Sequence, residues 1–164
     1  MLSQAVVKTP IGSLYLISHE QLLLASGFES FASLQSRLEK IDQGRKFVTE
    51  KRIPVITDLV EDYFDGSLAA IDGISVRQLG EKFSQSAWKA MRKVPAGKTL
   101  SYADLAKRAG SAEAVRAAGT ACARNLVALV VPCHRIVRTG GALGNYAYGL
   151  KAKEWLLNHE GALK

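Results

Sequence analysis

The sequence is poor in cysteine: its 164 residues hold only Cys122 and Cys133. Two are too few for the stapled framework of a small secreted domain. The first residues, MLSQAVVKTP, lack a basic stretch followed by an apolar run, so no signal peptide is expected. The longest apolar run near the middle, Leu126 to Val131, is far too short to span a bilayer. No CxxC or HxxxH spacing exists, and His19 and His159 are isolated, so no metal site is expected. These absences lead to an expected cytoplasmic location and a reduced thiol state.

What the chain does have is 48% hydrophobic and 23% charged residues, the profile of a soluble globular protein. Disorder and collagen are excluded. The length suits one ordinary domain or two small subdomains sharing an interface. Charge is unevenly placed. Residues 1–80 hold eight Lys/Arg and ten Asp/Glu, whereas residues 81–164 hold fourteen and five, which puts a surplus of +9 in the second half. Such asymmetry points to a polyanion partner for that half, either nucleic acid or an anionic membrane, or else to a merely soluble basic domain. With no amphipathic basic anchor in the sequence, no membrane partner is expected.

Three β-rich segments open the chain at Ala5–Val7, Leu14–Ile17 and Leu22–Phe28, with Thr9-Pro10-Ile11-Gly12 as the first turn. Phe31, Leu34, Leu38 and Ile41 predict one helix, and Gly44 to Glu50 a loop. Ile56, Leu59, Val60, Tyr63 and Phe64 predict another helix, stopped by Asp65-Gly66. The stretch from Ser67 to Gly80 is a connection carrying one strand, with the domain boundary at 79/80. Ser84 to Val94 is helical. Ser101 caps a short helix that Gly110 ends, and Ser111 caps a second from Ala112 to about Arg124. That pair is a helix-turn-helix candidate. Val127–Val131 is suited to a buried strand, and Lys151–His159 to a last helix with Ala152, Trp155 and Leu156 inward.

Cys133 is the sharpest chemical feature. It follows an apolar run and Pro132, and is followed by His134 and Arg135. A thiolate is the reactive form of cysteine, and nearby positive charge lowers its pKa from ~8.5. His134 could serve as its general base. On its own, a cysteine after an apolar strand is more often an inert core residue. Cys122 is read as a packing residue for the same reason.

The segment Pro132-Cys133-His134-Arg135-Ile136-Val137 changes that balance. It resembles the active-site signature of the methylated-DNA–protein-cysteine methyltransferases, the O6-alkylguanine-DNA alkyltransferases. The similarity extends through Phe83-x-Gln85-x-x-Trp88, Val94-Pro95-x-Gly97-Lys98, Ser101-Tyr102-x-x-Leu105-Ala106 and Ala114-Val115-Arg116-Ala117-Ala118-Gly119. Asn125, Gly144-Asn145-Tyr146, Lys153-x-x-Leu156-Leu157 and His159-Glu160 complete it. It is dense over residues 80–161 and loose over 1–79.

The resemblance implies a fold of α/β (α+β) class: a small N-terminal antiparallel sheet with helices, residues 1–79, and a mainly helical C-terminal domain with a winged-type helix-turn-helix, residues 80–164. It implies single-turnover repair of O6-alkylguanine, and of O4-alkylthymine, by transfer of the alkyl group to Cys133 after base flipping. By the same resemblance His134 takes the thiol proton, Glu160 orients the imidazole, Tyr102 assists the leaving oxygen and Asn125 braces the loop. Arg116, Tyr102, Ala117, Ala118, Gly119 and Arg124 would meet double-stranded DNA from the minor groove. Arg135, Ile136, Ala147 and Tyr148 would line the alkyl pocket, Tyr148 narrowing it against bulky groups. Neither cofactor nor metal is implied, and a monomer is expected. Two other readings remain open: a protein that binds alkylated DNA without transfer, and a Cys-His hydrolase. The hydrolase is disfavoured because no Gly cluster for an oxyanion hole precedes Cys133.

Overall fold

The computed structural model describes residues 1–163. They divide into two compact units, Met1–Leu79 with Leu126–Val130, and Gly80–Asn125 with the chain from Val131 onward.

The first unit is built on a meander of β1 (Leu2–Thr9), β2 (Gly12–His19) and β3 (Leu22–Gly27), antiparallel throughout. Thr9 and Gly12 make its first turn: Thr9 Oγ1 accepts the Ile11 N–H at 3.2 Å and donates to the Gly12 carbonyl at 2.6 Å, and Gly12 sits at φ +119°. Such a φ strains any side chain, so glycine is required there. In β3 only Leu22 is exposed and Leu23 to Gly27 are all buried, the pattern of a strand covered on both faces, which shows a nearly continuous apolar run in place of alternation.

The sheet departs from the expected all-antiparallel form. Two short strands, β4 (Phe47–Thr49) and β5 (Ser75–Val76), add in parallel to β1 and β3 and give the order β4-β1-β2-β3-β5. Strand β4 lies inside the segment expected to be loop. Three residues are too few to display a period, and its place is set by tertiary pairing. The expected helix 31–41 is likewise two pieces, α1 (Phe31–Arg37) and α2 (Lys40–Gln43), because Leu38 is extended at ψ 161°. Ser30 caps α1 by accepting the Ser33 N–H. Helix α3 (Ile56–Phe64) forms as its period requires and buries Ile56, Val60 and Tyr63. Leu2, Ile17, Leu24, Ala25, Leu34 and Leu38 form a core cluster, with Tyr15, Phe47 and Leu126 packed against it.

Residues 127–131 are buried as expected but do not form a strand. Val127 makes a single parallel bridge to Ser26, whose N–H and carbonyl pair with Leu126 O and Ala128 N. Ser26 Oγ also donates to Ala128 O at 2.6 Å. The chain then turns through Leu129 at φ +74°, which ends any strand.

The second unit holds α4 (Lys82–Arg92), β6 (Leu100–Ser101), α5 (Tyr102–Arg108), α6 (Val115–Arg124), β7 (Ile136–Val137) and α7 (Leu150–His159). Strands β6 and β7 pair in parallel. Ser101 caps α5 as expected, accepting the Asp104 N–H at 3.0 Å. Helix α6 begins later than expected. Ser111 does not cap it; its carbonyl accepts the Ala114 N–H in a preceding turn. Trp88 of α4 donates Nε1–H to the Ala121 carbonyl at 2.9 Å, which fixes α6 against α4. Helix α7 turns Lys153, Leu156 and Leu157 inward, not Ala152 and Trp155. Trp155 stacks on His159 at 4.7 Å. No helix among the described residues is long and apolar enough to cross a membrane.

Candidate active site

Cys133, His134 and Arg135 form one turn of 3-10 helix between Pro132 and β7. Three residues per turn send three consecutive side chains in three directions. This is how neighbours in sequence reach different surroundings: Cys133 meets a cavity, and His134 and Arg135 point into the interior. The turn is fixed from behind. Cys133 N–H donates to the Val131 carbonyl at 2.8 Å, and Asn125 Nδ2, at the C-cap of α6, donates to the same oxygen at 2.9 Å. The Asn125 amide also hydrogen-bonds the Cys133 thiol.

His134 Nε2 lies 2.8 Å from Glu160 Oε2, and both side chains are fully buried. Arg135 closes on the same carboxylate, with Nε to Oε1 at 2.9 Å and Nη2 to Oε2 at 3.0 Å, while Nη1 donates to the Val94 carbonyl at 2.7 Å. The turn at Val94–Gly97 serves this cluster twice. Gly97, at φ +90°, has no room for a side chain, since a Cβ there would lie 3.2 Å from the Glu160 carbonyl oxygen. Glu160 caps the C-terminus of α7, where a negative charge is unfavourable without a cation at hand. Burial pushes its carboxyl up, but the hydrogen bonds of His134 and Arg135 and the Arg135 charge outweigh that and hold it at about 2. Burial lowers His134, more than Glu160 raises it. Glu160 is therefore an ionised acceptor and His134 a neutral ring. An ionised carboxylate can only accept, so the proton sits on Nε2. Nδ1 is left with its lone pair and no hydrogen-bond partner among the described residues. A neutral imidazole with a free lone pair is a base ready to take a proton.

The cavity has a volume of about 680 Å³, and its wall includes Cys133, Tyr102, Cys122, Arg116, Arg138 and Tyr146. Gly119, Thr120 and Ala123 of α6 complete one side, and Asn145 and Ala147 another. Burial raises the Cys133 thiol, opposed by the Asn125 hydrogen bond and the Lys153 charge, so the resting sulfur is protonated. Burial also raises the Tyr102 phenol, assisted by both cysteines, with a backbone hydrogen bond from Asn145 acting the other way. Tyr102 therefore keeps its proton available for donation. Gly144, at φ +74°, lets its loop pass against Tyr102; a Cβ there would lie 3.1 Å from the phenol oxygen.

Of the residues singled out in the sequence, the structure brings Cys133, Tyr102, Arg116, Gly119 and Ala147 to this cavity, and places Asn125, His134 and Glu160 directly behind it. Others lie elsewhere. Arg135 is only 1% exposed and occupied by Glu160 and Val94, so it braces the base and does not line the pocket. Ile136 is fully buried in β7. Tyr148 stands behind Tyr146, edge to face at 5.7 Å, and the ring on the wall is Tyr146. Ala118 is fully buried in the unit's core and cannot meet DNA, whereas Arg116, Ala117 and Arg124 are exposed on α6. Lys153 was missed as a functional residue. Its buried Nζ donates to the Ile136 carbonyl at 2.6 Å and the Asn145 carbonyl at 3.1 Å. Its signal was present in sequence, as a lysine on the apolar face of the last helix beside Leu156 and Leu157. Among the described residues no group of His, Cys, Asp and Glu could hold a metal ion.

The family described as 6-O-methylguanine DNA methyltransferase, DNA binding domain, matches residues 82–162. A methylated-DNA–protein-cysteine methyltransferase of Salmonella typhimurium is 37% identical over 161 residues, 96% of this chain and 94% of its own. One from Methanosarcina acetivorans is 34% identical, covering 96% of this chain and 97% of its own. The crystal structure of Mycobacterium tuberculosis OGT in complex with DNA superposes with a TM-score of 0.82 at 28% identity, over 98% of this chain and 93% of that one.

Proposed function

The chain belongs to the methylated-DNA–protein-cysteine methyltransferases, and from that premise we propose that it repairs O6-alkylguanine in duplex DNA by moving the alkyl group irreversibly to Cys133. One observation carries this reading: a cysteine on a cavity wall, immediately followed in sequence by a buried, neutral histidine hydrogen-bonded to an ionised carboxylate.

The chemistry follows from the placement of these groups. His134 Nδ1 takes the Cys133 proton, through one water, and Glu160 stabilises the imidazolium that results. Lys153 favours the transient thiolate. The sulfur attacks the carbon attached to O6, forming the S–C bond as the C–O bond breaks. Tyr102 donates its proton to the departing base, guanine leaves neutral, and the proton held on His134 returns by way of solvent to the Tyr102 phenolate, so the thiol proton is the one lost in net balance. The thioether has no route back to a thiol, so each molecule acts once. The alkyl group arrives on the substrate and the acceptor is a side chain, so no cofactor is required. O4-alkylthymine presents the same kind of exocyclic C–O bond and is a second substrate.

A base inside the duplex cannot reach a buried sulfur, so the alkylated base leaves the stack to enter the cavity. Helices α5 and α6 act as the helix-turn-helix, and α6 approaches the minor groove with its small residues Ala117 and Gly119. Arg116, on the cavity wall, fills the space the base leaves, and Arg124 meets phosphate. Residues 80–164 carry binding and transfer, and residues 1–79 support them structurally. The protein acts as a monomer in the cytoplasm.

The test is a stoichiometric incubation with a duplex containing one O6-methylguanine, followed by peptide mass mapping. One methyl group on the Cys133 peptide, and none in Cys133→Ser, is the expected result. Binding to the alkylated duplex with an unmodified protein would replace this reading with recognition alone.

A further inference from the structure

Cys122 is a nucleophilic side chain in the cavity that the transfer chemistry leaves unused. It stands on α6, one helical turn before Asn125, and shares the cavity wall with Cys133. A short path of hydrogen bonds ties the two cysteines together. Asn125 N–H donates to the Cys122 carbonyl at 3.3 Å, Asn125 Nδ2 donates to Val131 O at 2.9 Å, and Cys133 N–H donates to that same oxygen at 2.8 Å. Asn125 thus braces the Cys133 turn with its side chain and closes the end of α6 on Cys122 with its backbone N–H, so both cysteines flank this one residue. No third cysteine exists to compete. Burial raises both thiols and the Cys133 charge raises Cys122 further, while the Lys153 charge acts the other way on both sulfurs.

We propose that Cys122 and Cys133 form a dithiol centre which hydrogen peroxide closes to an intramolecular disulfide, switching the alkyl acceptor off reversibly. The Cys133 thiolate attacks one peroxide oxygen, breaking the O–O bond and giving a sulfenic acid and one water. The Cys122 thiol attacks that sulfur and displaces the second water. Two thiols and one peroxide thus become one disulfide and two waters, with the sulfurs oxidised and the peroxide reduced. A sulfenic acid without a thiol beside it advances to the irreversible sulfinic acid. Cys122 therefore protects a group that the protein can use only once. Closing the bond requires the two Cα atoms to come within about 4.4–6.8 Å of each other. The disulfide itself is independent of the proposed repair activity; its effect on alkyl acceptance rests on that reading.

The experiment treats the reduced full-length chain with hydrogen peroxide, blocks remaining thiols with N-ethylmaleimide and measures intact mass without reductant. The expected product is a monomer lighter by roughly 2 Da, carrying no maleimide and yielding one linked Cys122–Cys133 peptide. Methyl acceptance falls by about tenfold or more and returns with dithiothreitol. In Cys122→Ser and Cys122→Ala, the same treatment gives Cys133 sulfinic acid and a loss that dithiothreitol does not restore. A wild-type monomer with oxygenated Cys133 and a maleimide-labelled Cys122 would overturn the proposal. So would disulfide-linked dimers, or recovery of the Cys122 variants equal to wild type. If Cys133 accepts no methyl group at all, the repair reading fails while the linked peptide still decides the disulfide.

Discussion

Glu160 carries three obligations at once, to Arg135, to His134 and to the end of α7. Replacing it with glutamine leaves the Arg135 charge buried without a counter-ion, a defect that costs about 3–5 kcal/mol. Urea unfolding at neutral pH is expected to show that loss, and methyl transfer is expected to slow. The pH dependence has a definite sign. Glu160 is held at about 2, below the ordinary 4.5, so its contribution is complete above 4.5 and disappears as pH falls toward 2. His134 is also lowered, so the unfolded chain takes up its proton first and stability begins to fall below the ordinary 6.5. Acid titration of wild type should therefore show a loss beginning near 6.5 and deepening below 4.5, and Glu160→Gln should lack the second part. The same lowering keeps the base free in mild acid. Single-turnover methyl transfer is expected to hold its rate through pH 6.5 and decline only below it. A midpoint at or above 6.5 would contradict a neutral buried imidazole.

At the scale of elements, the 3-10 turn and α6 decide where the chemistry sits. Asn125→Ala removes the hydrogen bond to Val131 O, which keeps the Cys133 N–H as its other partner, for a loss of about 0.5–1.5 kcal/mol. Asn125→Asp keeps the shape but not the donor and should be no better; thermal melts of both variants test this. Gly119 behaves differently. A Cβ there meets nothing within 4 Å, so Gly119→Ala is expected to stabilise α6 by up to about 1 kcal/mol while narrowing the cavity's α6 side and slowing transfer. Higher melting temperature with lower rate is the expected pair of results. Helix α3 and the β1–β3 meander were legible because period and turn residues agreed with burial. Strand β4 was not, because its place is set by pairing with the distant β1, and the break at Leu38 and the late start of α6 were not, because each is a local turn inside a segment whose residue types also suit a helix. The motif around Cys133 pointed to the nucleophile, the base and Glu160. It could not separate the bracing role of Arg135 from a lining role, since only the direction of each side chain around the turn distinguishes them. Lys153 was hidden by its type: a lysine on a helix is ordinarily a solvated residue, and only two buried carbonyls make it an inward one.

At the scale of the whole molecule, the charge surplus lies in the unit that holds the cavity. Lys107, Arg108, Arg116 and Arg124 are exposed on α5 and α6. Affinity for unmodified duplex DNA is expected to fall steeply with salt, and Arg124→Ala to reduce the slope of log K against log[salt] by about 1, as loss of one phosphate contact requires. An unchanged slope would remove Arg124 from the interface. The other whole-molecule feature is the route of the chain. Between the end of α6 and Cys133 it contributes residues 126–130 to the first unit, where Val127 bridges Ser26 and Leu126 packs in the core. This has a consequence for modularity. The two units are not interchangeable cassettes, because a crossover placed only at residue 80 separates Ser26 from the five residues chosen to fit it. Chimeras between relatives should fold well when residues 126–130 travel with the first 79, and poorly when they are inherited with the rest of the second unit. Recombination in this lineage is thus constrained by a short passenger segment, and its boundaries need two cuts more than the linear order of the units suggests.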